Sequence, residues 1–195
     1  MVGTLAVLGL TAVAVKLLAS GNGFRAFALT ELVTPGAVAG WAAALPEDED
    51  EFILAAWGLV GGMAYDPVPS HLDLVDGSVR GEHLALPLEV LGQGVGNCVG
   101  RSLLLVSLLR GRLPPERVMV GVGLLSKPEQ QGGHAWALAQ RADGRWYLLE
   151  ATAPAGAWVE AGGELASYIP YIYLNDALLF SSSDQLAFIL GGPRV

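Results

Sequence analysis

The sequence predicts an α+β domain in which a central helix, headed by the chain's one cysteine, packs on an antiparallel sheet carrying a histidine and an acid. Three observations predict it. Val99 to Leu109 is almost wholly apolar, and a helix that is apolar all round must be buried. Arg117–Leu125 and Gly133–Ala139 are short apolar runs of strand length, apolar on both faces. Ala142-Asp143-Gly144-Arg145 then turns the chain back with the Asp-Gly pair favoured in tight hairpins.

The 195 residues suffice for one ordinary domain with a real core. With 52% hydrophobic and 15% charged residues, disorder is not the expectation. Eleven basic against 19 acidic residues leave a net charge of −8. An acidic chain without a basic stripe is a poor nucleic-acid binder, because neutralising phosphates needs clustered Lys and Arg. A single cysteine excludes an intrachain disulfide and the usual Cys-based zinc sites. Such a cysteine is either a small buried hydrophobe or a reactive thiol.

From the N-terminus, Met1 to Val15 carries no charge. The apolar segment 1–20 has about the length of a signal-peptide core or a short membrane span, but lacks a basic leader. It reads as a membrane anchor, an arm packed on a partner chain, or a buried helix of the domain. Localisation follows that choice: membrane-associated or extracytoplasmic with an anchor, otherwise cytoplasmic or part of an assembly. Ser20-Gly21-Asn22-Gly23 is a turn or hinge, and 21–195 is read as a single domain.

Ala37 to Leu45 is a helical stretch stopped by Pro46. The acidic run Glu47–Glu51 reads as a solvated helix start, favoured by the positive end of the dipole. The helix then shows Phe52, Ile53, Ala56, Trp57, Val60 and Met63 on one face and ends near Gly61-Gly62. Pro67 to Pro87 reads as a surface loop. Its His71, Asp73, Asp76, Glu82 and His83 match no known ligand spacing, so no metal or cofactor is implied. Gly96-Asn97 opens the apolar helix, placing Cys98 at its N-terminus. After the Arg117–Leu125 strand, Ser126 to Gly132 reads as a polar loop. Trp146 to Glu150 is the strand returning from the hairpin. Tyr168 to Asn175 is strand-like, and a last helix is expected after Ser181-Ser182-Ser183-Asp184.

Three residues then stand in related positions. Cys98 heads a helix, where the partial positive charge favours the thiolate. His134 begins the middle strand. Pairing around Asp143-Gly144 sets opposite each other residues whose numbers sum to about 287, so Glu150 lies within a few residues of His134 on the next strand. A cysteine nucleophile needs a base, and the base needs a third group to hold its tautomer. Taken singly, each has an ordinary reading: core thiol, satisfied strand histidine, solvent-facing acid.

Gly96-Asn97-Cys98, Gly133-His134-Ala135-Trp136 and Trp146-Tyr147-Leu148-Leu149-Glu150-Ala151-Thr152 together resemble the transglutaminase-like superfamily. Its corresponding phrases are Gly-x-Cys, Gly-His-Ala-Trp and Trp-x-x-x-Asp-x-Thr. The resemblance spans roughly Glu49 to Asn175 and includes Tyr65-Asp66 after the preceding helix. It implies a papain-like core with Cys98 as nucleophile, His134 as base and Glu150 as third member. The family mostly has Asp at that third position, and glutamate reaches about one bond further. Gln93, five positions before Cys98 in a glycine-rich loop, is the side-chain candidate for the oxyanion, with Trp136 as a further oxyanion or substrate contact.

The implied function is cysteine-dependent acyl transfer on a peptide or protein substrate through a thioester, with hydrolysis preferred over transamidation because bacterial and archaeal members of the family are more often proteolytic. The alternative is a catalytically silent binding or assembly module, motivated by the apolar contact surface of residues 1–19.

Overall fold

The computed structural model describes residues 29–65, 71–72, 79–80, 84–128, 130–161 and 165–181. The anchor, arm or helix expected over 1–20, the hinge after it, and the last C-terminal helix fall outside those residues. Among the described residues, no helix is long and apolar enough to cross a membrane.

Two 3-10 turns, Leu29–Leu32 and Pro35–Val38, lead into helix α1 (Ala39–Ala44). Helix α2 (Glu49–Gly61) starts because the Asp48 side chain accepts the Asp50 and Glu51 backbone N–H groups at 3.0 and 3.1 Å. Its predicted face, from Phe52 to Val60, is buried. The acidic run that begins it is not simply solvated. The Glu49 carboxylate meets the Arg117 guanidinium at 3.0 and 2.5 Å, and Asp50 accepts from Arg141 Nε at 2.7 Å. These pairs tie α2 to the ends of sheet strands distant in sequence.

Strand β1 (Ala64–Tyr65) follows, then β2 (His71–Leu72) paired antiparallel with β3 (Val79–Arg80), inside what was expected to be a loop. Helix α3 (Pro87–Gln93), strand β4 (Val95–Gly96) and helix α4 (Cys98–Leu109) come next. The N-cap of α4 is Asn97, whose side chain accepts from Gly100 N at 3.0 Å. Every residue from Gly100 to Leu109 is buried, as a helix apolar on all faces requires.

A six-stranded sheet lies against α4. Its strands are β5 (Val118–Lys127), β6 (Gln130–Gln140), β7 (Trp146–Leu149), β8 (Val159–Glu160), β9 (Tyr168–Leu174) and β10 (Leu179–Ser181), in the order β10-β9-β5-β6-β7-β8. All neighbours are antiparallel. Ser126–Gly132 is no loop, because β5 and β6 pair out to Lys127↔Gln130. A ladder is held by backbone groups, and polar side chains at its open end do not stop it.

The sheet is covered on both faces. Val118, Val120, Ala137, Ala139, Ile172 and Leu174 share a core with the leucines of α4. Alternate residues, among them Met119, Trp136, Leu138, Trp146 and Tyr173, form a second core behind the sheet. The alternation follows from the period of two along a strand.

Candidate active site

Strand β6 outruns its neighbour. β7 pairs with it only from Ala137↔Leu149 to Gln140↔Trp146, so the β7-side edge of β6 is unpaired at His134. Continuing that register sets His134 level with position 152, one residue from the expected register. Glu150 therefore leaves β7 beside His134, and His134 Nε2 stands 2.8 Å from Glu150 Oε2.

The carboxylate is held from every side. Thr152 donates to Oε1 through its backbone N–H at 3.0 Å and its hydroxyl at 2.7 Å. Tyr168 donates its hydroxyl to Oε2 at 3.0 Å. Trp57 Nε1 of α2 donates to the Glu150 carbonyl at 2.9 Å, which anchors the backbone as well. Fixing an acid in this way fixes the ring it holds.

The His134 side chain is almost enclosed, with the Tyr168 ring at 6.0 Å and the Trp136 ring at 6.4 Å, centroid to centroid. With Nε2 on Glu150, its other nitrogen is left for Cys98, whose half-buried thiol hydrogen-bonds the ring. The backbone N–H of Ala135 also points at the sulfur.

The electrostatics follow the geometry. Burial alone raises the Cys98 pKa. The His134 hydrogen bond, the His134 charge and the Ala135 N–H outweigh it, and the thiol ends below its ordinary value. Burial alone lowers His134, but hydrogen bonds to Cys98 and Glu150, and then their charges, raise it from 6.5 to about 9. Glu150, pushed up by burial and down more strongly by His134 and Thr152, comes to about 2. Between those limits the group holds an imidazolium and a carboxylate, and the lowering of Cys98 favours the thiolate beside them.

The head of α4 is held in register with the end of α2. β1 and β4 pair in parallel, Tyr65 opposite Gly96. Arg101, one turn after Cys98 and 1% exposed, donates Nη2 to the carbonyls of Val60 and Gly61 at 2.9 and 2.8 Å. The end of α2 leaves the Gly61 carbonyl open, while the Val60 carbonyl also accepts from Met63 N at 3.2 Å.

The structure thus brings Cys98, His134 and Glu150 together. Gln93 ends α3 with an exposed side chain. On that side of Cys98, the polar atom that meets it is the Tyr65 hydroxyl. Trp136 offers a substrate no surface, being 0% exposed. Its ring lies over Gly121 of β5, where an added Cβ would fall 2.4 Å from Cε2, and meets Tyr168 and Tyr173 edge-on. It supports the second core behind His134, because residues 134 and 136 share one side of β6. Sequence reading passed over Trp57, Arg101 and Tyr168. Thr152 and Tyr65 stood in the family phrases without a role. Among the described residues, no three His, Cys, Asp or Glu side chains are grouped to hold a metal ion.

No family model and no curated protein matches the chain. Solved structures do. Legionella pneumophila LapG superposes with a TM-score of 0.52 at 13% identity, over 82% of this chain and 93% of that one. A Cytophaga hutchinsonii protein described as a candidate cysteine protease gives 0.46 at 17% identity, over 77% of this chain and 48% of its own. The chain has the mixed α+β fold of papain-like cysteine proteases, a helix packed on an antiparallel sheet.

Proposed function

We propose that the protein is a cysteine-dependent acyl-transfer enzyme acting on peptide or amide bonds, with hydrolysis as its main outcome. One observation carries the reading. The His134 ring stands between a thiol and a carboxylate, bonded to both, with its pKa raised to about 9. A nucleophile, a base and an orienting acid are the parts this chemistry needs.

The Cys98 thiolate attacks the carbonyl carbon, and a C–S bond forms. The carbonyl π pair moves to oxygen. As the intermediate collapses, the C–N bond breaks and the amine leaves with the proton from His134. The acyl group then sits on Cys98 as a thioester. His134, now neutral, takes a proton from water, whose oxygen attacks the thioester carbon; the C–S bond then breaks, the acid leaves and the Cys98 thiolate returns beside the imidazolium. An amine in place of water gives transamidation by the same steps. Glu150 supports the imidazolium throughout, where the family mostly uses aspartate. The longer side chain suits a residue that stands just beyond the end of β7 rather than within it. Behind this site lies a peptidase-like fold, which supports a peptide or protein substrate.

The test is labelling of Cys98 by iodoacetamide near neutral pH, together with turnover of a fluorogenic peptide-amide library. The wild type is expected to label faster than a free thiol and to turn over at least one amide, with Cys98→Ala inert in both. Persistent turnover in Cys98→Ala, or a wild type that resists labelling, would refute the reading.

A further inference from the structure

One polar group touches the nucleophile without belonging to the Cys–His–Glu set. The hydroxyl of Tyr65 meets the Cys98 thiol, and the Cys98 backbone N–H points at its oxygen. The fold puts it there. Tyr65 ends β1, which runs parallel to β4 with Tyr65 opposite Gly96, two residues before the cysteine. The end of α2, just before β1, is in turn clamped by Arg101 from within α4. The Tyr65 side is therefore built into the head of the nucleophile helix. Tyr65 as a whole is 55% exposed, so it stands as a wall beside Cys98 at the surface instead of filling the core.

In acyl transfer, the oxygen of the tetrahedral intermediate must find donors beside the attacking atom, and the nucleophile's own N–H is the nearest. The Tyr65 oxygen already sits on that N–H. It stands where the carbonyl oxygen of a bound acyl group has to come. Burial, and then the negative charge of Cys98, raise the phenol above its ordinary value, so it keeps a proton to donate across the working pH range. Gln93, the candidate from sequence, is exposed at the end of α3.

We propose that Tyr65 is a catalytic residue whose O–H is the second donor, beside the Cys98 N–H, to the oxyanion formed when Cys98 attacks an amide or ester carbonyl. The inference rests on the acyl-transfer reading and deepens it. With no substrate bound, the phenol oxygen accepts from the Cys98 N–H. An incoming carbonyl oxygen takes that N–H, and the phenol withdraws by about one hydrogen-bond length, roughly 2.7 Å, and turns its proton toward the newcomer. As the C–S bond forms and the π pair moves to oxygen, the phenol O–H stabilises that charge. It gives up no proton, and when the carbonyl re-forms the charge is gone.

The test compares acylation with alkylation of the same thiol. The probe for acylation is a p-nitrophenyl ester of a blocked amino acid. The probe for alkylation is iodoacetamide, whose displacement at carbon creates no oxyanion. In Tyr65→Phe, acylation is expected to fall about 100-fold, the typical loss for one oxyanion donor, while alkylation changes only by what the lost hydroxyl does to the thiol itself, so that the ratio of acylation to alkylation drops by well over tenfold. The retained ring keeps the wall in place, and an unchanged melting curve verifies it. A Tyr65→Phe variant that acylates as fast as wild type, or faster because an obstruction has gone, overturns the proposal and leaves acyl transfer standing. A wild type that alkylates at Cys98 but never acylates overturns both.

Discussion

Replacing Glu150 with glutamine removes a charge, and turns the acceptor that His134 and Tyr168 share on Oε2 into an amide NH₂. The change is nearly isosteric, and the Thr152 donors on Oε1 and the Trp57 donor on the carbonyl can stay. His134 then loses two of the four influences that raise it, the hydrogen bond and the charge of Glu150. It is left with burial, which pulls it down, and Cys98. The span from 6.5 to about 9 is a factor of roughly 300 in proton affinity, or about 3 kcal/mol. At pH 8, a ring titrating at about 9 is about 90% protonated and one titrating at 6.5 about 3%. Protonation alone therefore costs up to about 30-fold in rate at that pH. The amide adds a second fault. Its NH₂ group facing Nε2 asks that nitrogen to accept, which favours the tautomer that cannot take the Cys98 proton. The comparable loss of tautomer control in the serine triad costs about 10⁴, so kcat/KM for Glu150→Gln is expected to fall about 10²–10⁴-fold. The assay is the pH profile of kcat/KM. In wild type its alkaline limb is expected near 9, and in the variant it is expected to move toward 6.5. An alkaline limb still near 9, with kcat/KM within about threefold of wild type, would refute the role of Glu150.

The remaining predictions concern pH and the frame of the site. Glu150, lowered from 4.5 to about 2, contributes stability that is present above 4.5 and lost as pH falls toward 2. His134, raised to about 9, contributes stability present below 6.5 and lost as pH rises toward 9. The two are one ion pair seen from both sides, so the wild-type melting temperature falls at both ends by about one pair's worth, and Glu150→Gln flattens both slopes. Slopes unchanged in the variant would refute this. Arg101→Met takes the donor from the Gly61 carbonyl and leaves the Val60 carbonyl with Met63 N, and is expected to cost about 2 kcal/mol, a fall of about 4–8 °C in Tm. A Tm within a degree of wild type would refute the clamp. Gly61→Ala places a Cβ 2.2 Å from the Ala153 carbonyl oxygen, so α2 or the turn after Glu150 must shift. About 1–3 kcal/mol of stability is expected to go, with a lower alkaline limb in the pH profile. Unchanged stability and profile together would refute the close approach.

Much of the site was legible because it is written in local patterns. The run after Cys98 is apolar all round, so it had to be a buried helix with Cys98 at its head. The Asp143-Gly144 turn and strand alternation place Glu150 beside His134 by counting along a ladder, and the register differs by a single residue. Both follow from the fixed periods of helices and strands, which need no knowledge of the rest of the chain. The surroundings were not legible. Tyr168 donates to Glu150 from 18 residues away, Arg101 reaches back 41 to cap α2, and Trp57 reaches across 93. The acidic run looked solvated because its partners, Arg117 and Arg141, lie 68 and 91 residues on. Trp136 looked available because one strand does not reveal that its sheet is covered on both faces.

For the feature that opens the chemistry, the one cysteine, the sequence by itself determined its place at the head of a buried helix and the neighbourhood of a histidine and an acid. Only the tertiary structure decided how that histidine is charged, through burial opposed by two hydrogen bonds, and set the Tyr65 hydroxyl over the sulfur. Helix and strand periods are properties of a short stretch of backbone. A pKa and a hydrogen-bond partner are properties of whatever the folded chain carries into the same few ångströms.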